Sequence, residues 1–308
     1  MSFYLVTGGA GFIGSHLVET LLKRGERVRV LDNFSSGKRE NLAGMDGALE
    51  ILEGDLRDAA AVEKAVAGVE VIFHEAAFVS VPESMSDPVG CFAVNVTGTA
   101  SLLEAARQAK VRRVVLASSA AVYGDSETNP VPETEPLQSL SPYAASKQIN
   151  EVMAGLYTNL GLPTVALRYF NVFGPRQRPD SMYAAAVPIF VRRMLDNRPV
   201  TIFGDGGQSR DLIYVGDVVR ANLVASEHEN APGRVFNVCT GRETRILDLL
   251  ETLSELFPGI PPAEFAPPRP GDIYRSVGDP AKAARLLGFE AQTSLAEGLA
   301  DTVDWMRG

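Results

Sequence analysis

Tyr143 and Lys147 stand four residues apart in the run Tyr143-Ala144-Ala145-Ser146-Lys147. On a helix that spacing puts both side chains on one face. A tyrosine near its free pKa of about 10 is a poor base at neutral pH, and a nearby ammonium favours the phenolate. The pair therefore suits proton exchange with a hydroxyl being oxidised or a carbonyl being reduced. Ser118-Ser119 follows an apolar run, and a hydroxyl there could share a proton with the tyrosine. Taken alone, the same residues would describe a surface tyrosine beside a solvated lysine, with two loop serines satisfying backbone groups. The elements that carry them decide between these readings.

Those elements open with a glycine turn. Val6-Thr7-Gly8-Gly9-Ala10-Gly11-Phe12-Ile13-Gly14 lies between a first apolar run and a helical pattern. Glycines at 8, 11 and 14 permit a tight turn, close approach of a pyrophosphate, and packing of helix on strand. The helix N-terminus then offers free N–H groups to phosphate. Asp32 ends the second apolar run, where a carboxylate can accept from adenosine ribose hydroxyls and disfavour a 2′-phosphate; this predicts NAD in preference to NADP. Lys38 and Arg39 lie nearby, and a role for Asp32 in capping the next turn is the competing reading. Asp55, after the third run, is open to two roles, accepting from the adenine amino group or capping a helix.

Apolar runs at Phe3 to Val6, Val28 to Leu31, Leu49 to Leu52, Val69 to Phe73 and Arg113 to Ala117 read as buried strands. Helical patterns at Phe12 to Lys23, Ala59 to Val66 and Val89 to Ala109 separate them, and Ser141-Pro142 looks like a helix start. Val165 to Arg168 reads as a sixth strand. The alternation predicts an α/β fold, a doubly wound parallel sheet of Rossmann type. It would occupy residues 1–170, with a return segment near 209–238. Residues 171–308 would form mainly a smaller α/β substrate-binding domain, with helices near Ala184 to Leu195, Asp217 to Ala225 and Ile246 to Phe257.

The 308 residues carry a formal net charge of −9. That balance argues against a nucleic-acid or anionic-membrane partner, and leaves individual Arg or Lys residues to capture any anionic ligand. The two cysteines, Cys91 and Cys239, form no CxxC, so neither a disulfide framework nor a metal site is expected. His16, His74 and His228 read as structural. No signal-peptide pattern and no apolar run of membrane-spanning length is seen, which predicts a cytoplasmic protein.

Together these residues resemble the extended short-chain dehydrogenase/reductase superfamily, and within it the nucleotide-sugar epimerases. The resemblance covers essentially the whole chain. It is carried by TGGAGFIG at 7–14, His74-Glu75-Ala76-Ala77, Asn95-Val96-Thr97-Gly98-Thr99, SSAAVYG at 118–124 and SPYAASK at 141–147. LRYFNVFGPRQ at 167–177, SRD at 209–211 and RPGD at 269–272 complete it. By position it implies a catalytic triad of Ser119, Tyr143 and Lys147. Its NAD site would comprise Gly8, Gly11, Phe12, Ile13, Gly14, Asp32, Asn33, Ser36, Gly37, Asp55, Leu56, Ala76, Ala77, Asn95, Tyr143, Lys147 and Tyr169. Its UDP-sugar site would comprise Ser119, Tyr143, Asn171, Phe203, Arg210, Arg269, Asp272 and Ser276, with the two arginines suited to forked bonds on a diphosphate. The implied reaction is inversion at sugar C4 by transient oxidation, on UDP-glucose and UDP-galactose. A homodimer built on the helices at Val89 to Ala109 and Ser141 to Leu160 is implied as well.

Three departures bear on that expectation. Relatives that eliminate water or CO2 carry acidic side chains beside the VYG; this chain has Ala120 and Ala121. Val79 stands where many relatives have a lysine near the nicotinamide. Ser276 aligns with a gate position where a small residue leaves room for an N-acetyl group, which predicts that N-acetylated UDP-hexosamines are accepted as well as the plain UDP-hexoses. Preference for N-acetylated UDP-hexosamines, or for another nucleotide sugar, therefore stays open, as does a non-catalytic NAD-binding regulator.

Overall fold

The computed structural model describes residues 1–179, 185–268 and 273–308. In chain order the strands are β1 (Phe3–Thr7), β2 (Arg27–Asp32), β3 (Leu49–Glu53), β4 (Val71–His74), β5 (Arg113–Ser119) and β6 (Thr164–Tyr169). Then come β7 (Asn171–Phe173), β8 (Thr201–Phe203), β9 (Ser209–Arg210), β10 (Leu212–Tyr214) and β11 (Val235–Val238). The last are β12 (Thr244–Arg245), β13 (Glu264–Ala266) and β14 (Arg275–Ser276). Seven strands form one parallel sheet in the order β11-β6-β5-β4-β1-β2-β3. The order reverses between β1 and β4. In open α/β sheets ligands bind outside the carboxyl ends of the strands at such a reversal.

Continuous apolar strands need cover on both faces. On one face Leu17, Val18 and Leu21 of helix Phe12–Lys23 pack with Val218 and Leu223 of helix Val215–Glu227. On the other, Val62, Leu102, Leu103 and Ala154 come from helices Ala59–Val66, Thr99–Gln108 and Pro142–Asn159. A separate cluster joins Phe190 and Val191 to Leu249, Leu253, Leu299 and Val303, the core of the smaller C-terminal layer.

The helix expected over Val89 to Ala109 begins at Pro88 and contains a π-helical stretch at Ala93–Gly98. It runs for 21 residues, Pro88–Gln108, with a mean hydropathy of 1.3 over its most apolar 18, and among the described residues it is the one helix long and apolar enough to cross a membrane. Leu102, Leu103 and Ala106 spend that apolarity against the sheet, where they are fully buried.

Candidate active site

The glycine turn leaves β1 at Thr7 and enters the first helix at Phe12. Gly8 has φ +68°, and a Cβ there would lie 2.7 Å from the Ala76 amide nitrogen, in the segment that follows β4, the strand bordering β1. On Gly14 a Cβ would lie 2.2 Å from the Gly8 carbonyl oxygen. The turn can be this tight only because both positions lack a side chain. No side chain caps the helix at Gly11, so its first N–H groups, those of Phe12 and Ile13 among them, are left for a ligand. The cradle fits a dinucleotide pyrophosphate.

Around it, the predicted cofactor residues fall into two groups. Gly37 and Ala76 lie along the edges of the turn, and Ser36 and Ala77 are their neighbours in sequence. A Cβ on Gly37 would come within 2.9 Å of Ala10, and Ala76 donates its N–H to Thr7 Oγ1 at 3.3 Å. Others are engaged within the protein. Asp32 Oδ2 accepts from the Ala10 N–H at 2.9 Å and Oδ1 from the Phe34 N–H at 2.8 Å, so the carboxylate does shape the following turn. Asp55 caps no helix; Asp58 does that, and Asp55 holds Arg57 in a two-pronged ion pair and accepts from Asn33 Nδ2. Those bonds, Arg57's foremost, keep the Asp55 carboxyl well below the usual carboxylate range. Leu56 is buried beneath it. Asn95, 1% exposed, spends both amide hydrogens on Phe78 O and Ser146 Oγ and accepts from the Phe78 N–H. It thereby clamps the strand-end segment of Phe78 to the helix that carries Tyr143.

That helix, Pro142–Asn159, starts where the sequence places it. Ser141 Oγ accepts from the Ala144 N–H at 3.1 Å, and Pro142 fills the first turn. Tyr143 is further held by its N–H to Ser84 Oγ and its carbonyl to the Ser146 hydroxyl. Ser119, at the end of β5, hydrogen-bonds the Tyr143 phenol and also accepts from the Ala121 N–H at 3.2 Å. Lys147 Nζ lies 5.8 Å from the Tyr143 ring centroid and donates to Ala117 O at 2.7 Å. Serine, tyrosine and lysine thus meet at the carboxyl end of β5.

The expected electrostatics need correcting. Burial raises the Tyr143 phenol above its ordinary value; the Ser119 hydrogen bond opposes this, while Cys91 and Glu75 add to it. Lys147 is pulled down to about 8 by burial, with Glu75, Cys91 and Glu151 opposing. In this state the lysine is turned to the Ala117 carbonyl, and the serine is the group that eases loss of the tyrosine proton. His74 is structural: its ring bonds Thr7 Oγ1 and Thr99 Oγ1, and burial, with Lys147 adding, lowers it to about 3.

On the far side of the cleft, four short strands gather the predicted substrate residues. Asn171 opens β7 and donates its backbone N–H to Asp211 O at 3.0 Å. Arg210 of β9 pairs in parallel register with Ser276 of β14. Phe203 ends β8, and its carbonyl accepts from Gln208 Nε2. Arg269 and Asp272 lie outside the described residues. Sequence reasoning missed the residue that joins these pieces. Asp211, fully buried, accepts from the N–H groups of Thr240, Gly241 and Gly278 and from the Thr240 hydroxyl. Its position beside Arg210 was the available signal.

Beneath the triad, Glu151 is a second residue the sequence did not single out. It lies one further turn along the Tyr143–Lys147 face. Both its oxygens bind Arg168 at 2.7 and 2.8 Å, and the Ser118 hydroxyl donates to it at 2.6 Å. Arg168 in turn donates to Tyr123, whose O–H donates to Asn237 Oδ1.

The comparisons agree with this geometry. Residues 4–239 match the model of the NAD dependent epimerase/dehydratase family. The chain belongs to that family. It is 43% identical over 98% of its length to a UDP-glucose 4-epimerase of Mycolicibacterium smegmatis, covering 98% of that protein. A Thermotoga maritima UDP-glucose 4-epimerase solved with UDP-glucose superposes with a TM-score of 0.94 at 40% identity, over 99% of this chain and 98% of the other. A UDP-N-acetylglucosamine 4-epimerase of Methanobrevibacter ruminantium, in complex with UDP-N-acetylmuramic acid, gives 0.94 at 38%, again over 99% and 98%.

Proposed function

We propose that the chain is a UDP-hexose 4-epimerase that interconverts UDP-glucose and UDP-galactose. The observation that carries this is the meeting of Ser119, Tyr143 and Lys147 at the sheet edge, with Ala120 and Ala121 where elimination would need acids. The Gly8–Gly14 turn, Gly37, Ala76 and Lys147 would hold NAD, and Asp32 would accept from its ribose. NAD supplies the acceptor for the sugar C4 hydride and donates it back. Tyr143 takes the proton of the 4-hydroxyl through Ser119 and returns it to the oxygen of the 4-keto sugar, and inversion follows because the sugar turns and presents the opposite face of C4 for the hydride's return. Asn171 and Arg210, with Arg269 and Asp272, grip the UDP end, so that the sugar can turn while the nucleotide stays fixed. The direct test is incubation of purified protein with UDP-galactose, and separately with UDP-N-acetylgalactosamine, without added NAD. Formation of the gluco epimer is expected; no product with or without NAD would leave the regulator reading.

Acceptance of N-acetylated sugars is supported by the small side chain of Ser276 beside Arg210. Ser276→Tyr should lower turnover of the N-acetylated pair about tenfold or more and spare the plain hexoses, since a blocked pocket discriminates by a few kcal/mol at most. Equal losses on both substrates would discard the gate. A homodimer is supported by an exposed apolar row, Ile149, Val152, Leu156 and Leu160, along the outer side of the tyrosine helix and its end. A cytoplasmic location accords with a nucleotide-sugar substrate.

A further inference from the structure

We infer that Glu75 is a positioning residue of the Tyr143–Lys147 pair, its carboxylate adding to the pH that Tyr143 requires to give up its proton. The inference rests on the function proposed above only for its kinetic meaning.

His74 of β4 stands opposite Leu116 of β5, so Glu75 lies opposite Ala117, whose carbonyl holds Lys147 Nζ at 2.7 Å. The Glu75 side chain is fixed by a hydrogen bond from the Tyr169 hydroxyl at 2.9 Å. Tyr169 ends β6, and Asn222 on helix Val215–Glu227 donates to its oxygen at 2.7 Å while also donating to Val218 O. A carboxylate is thereby pinned at the sheet edge where Lys147 Nζ meets Ala117 O, and among the described residues no cation forms an ion pair with it. Its acidity reflects that setting: burial raises it to about 7, with the Tyr169 hydrogen bond and the Lys147 charge opposing.

Apart from Lys147 itself, Glu75 is the group in this cluster brought close to neutrality. His74 on β4 stays neutral, being lowered to about 3. Burial raises Cys91 on the neighbouring helix, and Tyr169 on β6 far more. Glu151 on the tyrosine helix is locked to Arg168. Ionised, Glu75 favours the Lys147 ammonium and disfavours the Tyr143 phenolate, and both groups carry its influence. Removing the charge should therefore make both give up their protons at lower pH.

The test reads Tyr143 without turnover. Near-ultraviolet tyrosinate absorbance of the full chain is titrated against pH, and the same titration of a Tyr143→Phe partner in the same background is subtracted. With Glu75→Gln, which keeps an acceptor for Tyr169, the Tyr143 step should fall by about one unit. Glu75→Asp, which keeps the charge, should restore most of the shift. If Gln perturbs folding, Glu75→Leu is read in its place and must move the step the same way. A Tyr143 step unmoved by loss of the charge, or moved equally by Asp and Gln, overturns the inference. Absence of epimerase activity would remove the proposed function and leave this titration readable.

Discussion

Tyr143→Phe should reduce turnover of UDP-galactose by about a thousandfold, within the range lost when a positioned proton-transfer group is removed. The backbone contacts of Tyr143 to Ser84 and Ser146 do not involve the phenol, and Ser119 keeps its bond from the Ala121 N–H. The variant should therefore fold with an unchanged melting temperature and still bind NAD. Kinetics on purified protein, beside a thermal melt and a cofactor titration, check all three. A loss smaller than about tenfold in a folded, NAD-bound variant would mean another group takes the proton, contrary to the usual size of such effects.

Glu151→Ala should be the most destabilising of the single changes considered. It would leave Arg168, 4% exposed, without its carboxylate, and Ser118 without its acceptor. Breaking a buried pair on one side costs about 3–5 kcal/mol. For a chain of this size that is a fall in melting temperature on the order of 10 °C. Pairing Glu151→Leu with Arg168→Met should recover much of the loss, because an apolar replacement leaves no charge stranded. Denaturant unfolding of both variants decides the matter; a single-variant loss below about 1 kcal/mol would show that water reaches Arg168.

The cofactor half of the molecule was legible because its signals are local. The glycines at 8, 11 and 14 are needed within one turn, and Ser141-Pro142 announces its own helix. The Tyr143–Lys147 spacing requires nothing beyond helical geometry. The parallel sheet follows from apolar runs whose length and alternation with helices leave few other solutions. Less could be read where partners are remote in sequence. Asp211 is defined by Thr240, Gly241 and Gly278, and no pattern around residue 211 names them. Asn95 belongs to the NAD site that the resemblance implies, and its structural partners Phe78 and Ser146 are too remote in sequence for any local pattern to name them. The tyrosine's electrostatics were misread because spacing shows that Lys147 shares its face but not that the ammonium turns to Ala117 or that burial outweighs it.

One strand has a consequence for anyone who would dissect the molecule. β11 reaches the sheet from residue 235 and is the sole neighbour of β6 on its outer side. All six residues of β6 are buried in the finished fold. A fragment ending near residue 170 would possess the glycine turn and the tyrosine helix, yet would present an unpaired apolar edge, the kind that recruits other chains. The cofactor half is thus a unit in architecture but not in solubility. The chain must be synthesised past Val238 before its own sheet is sealed, and until then it is a client for whatever shields exposed strands.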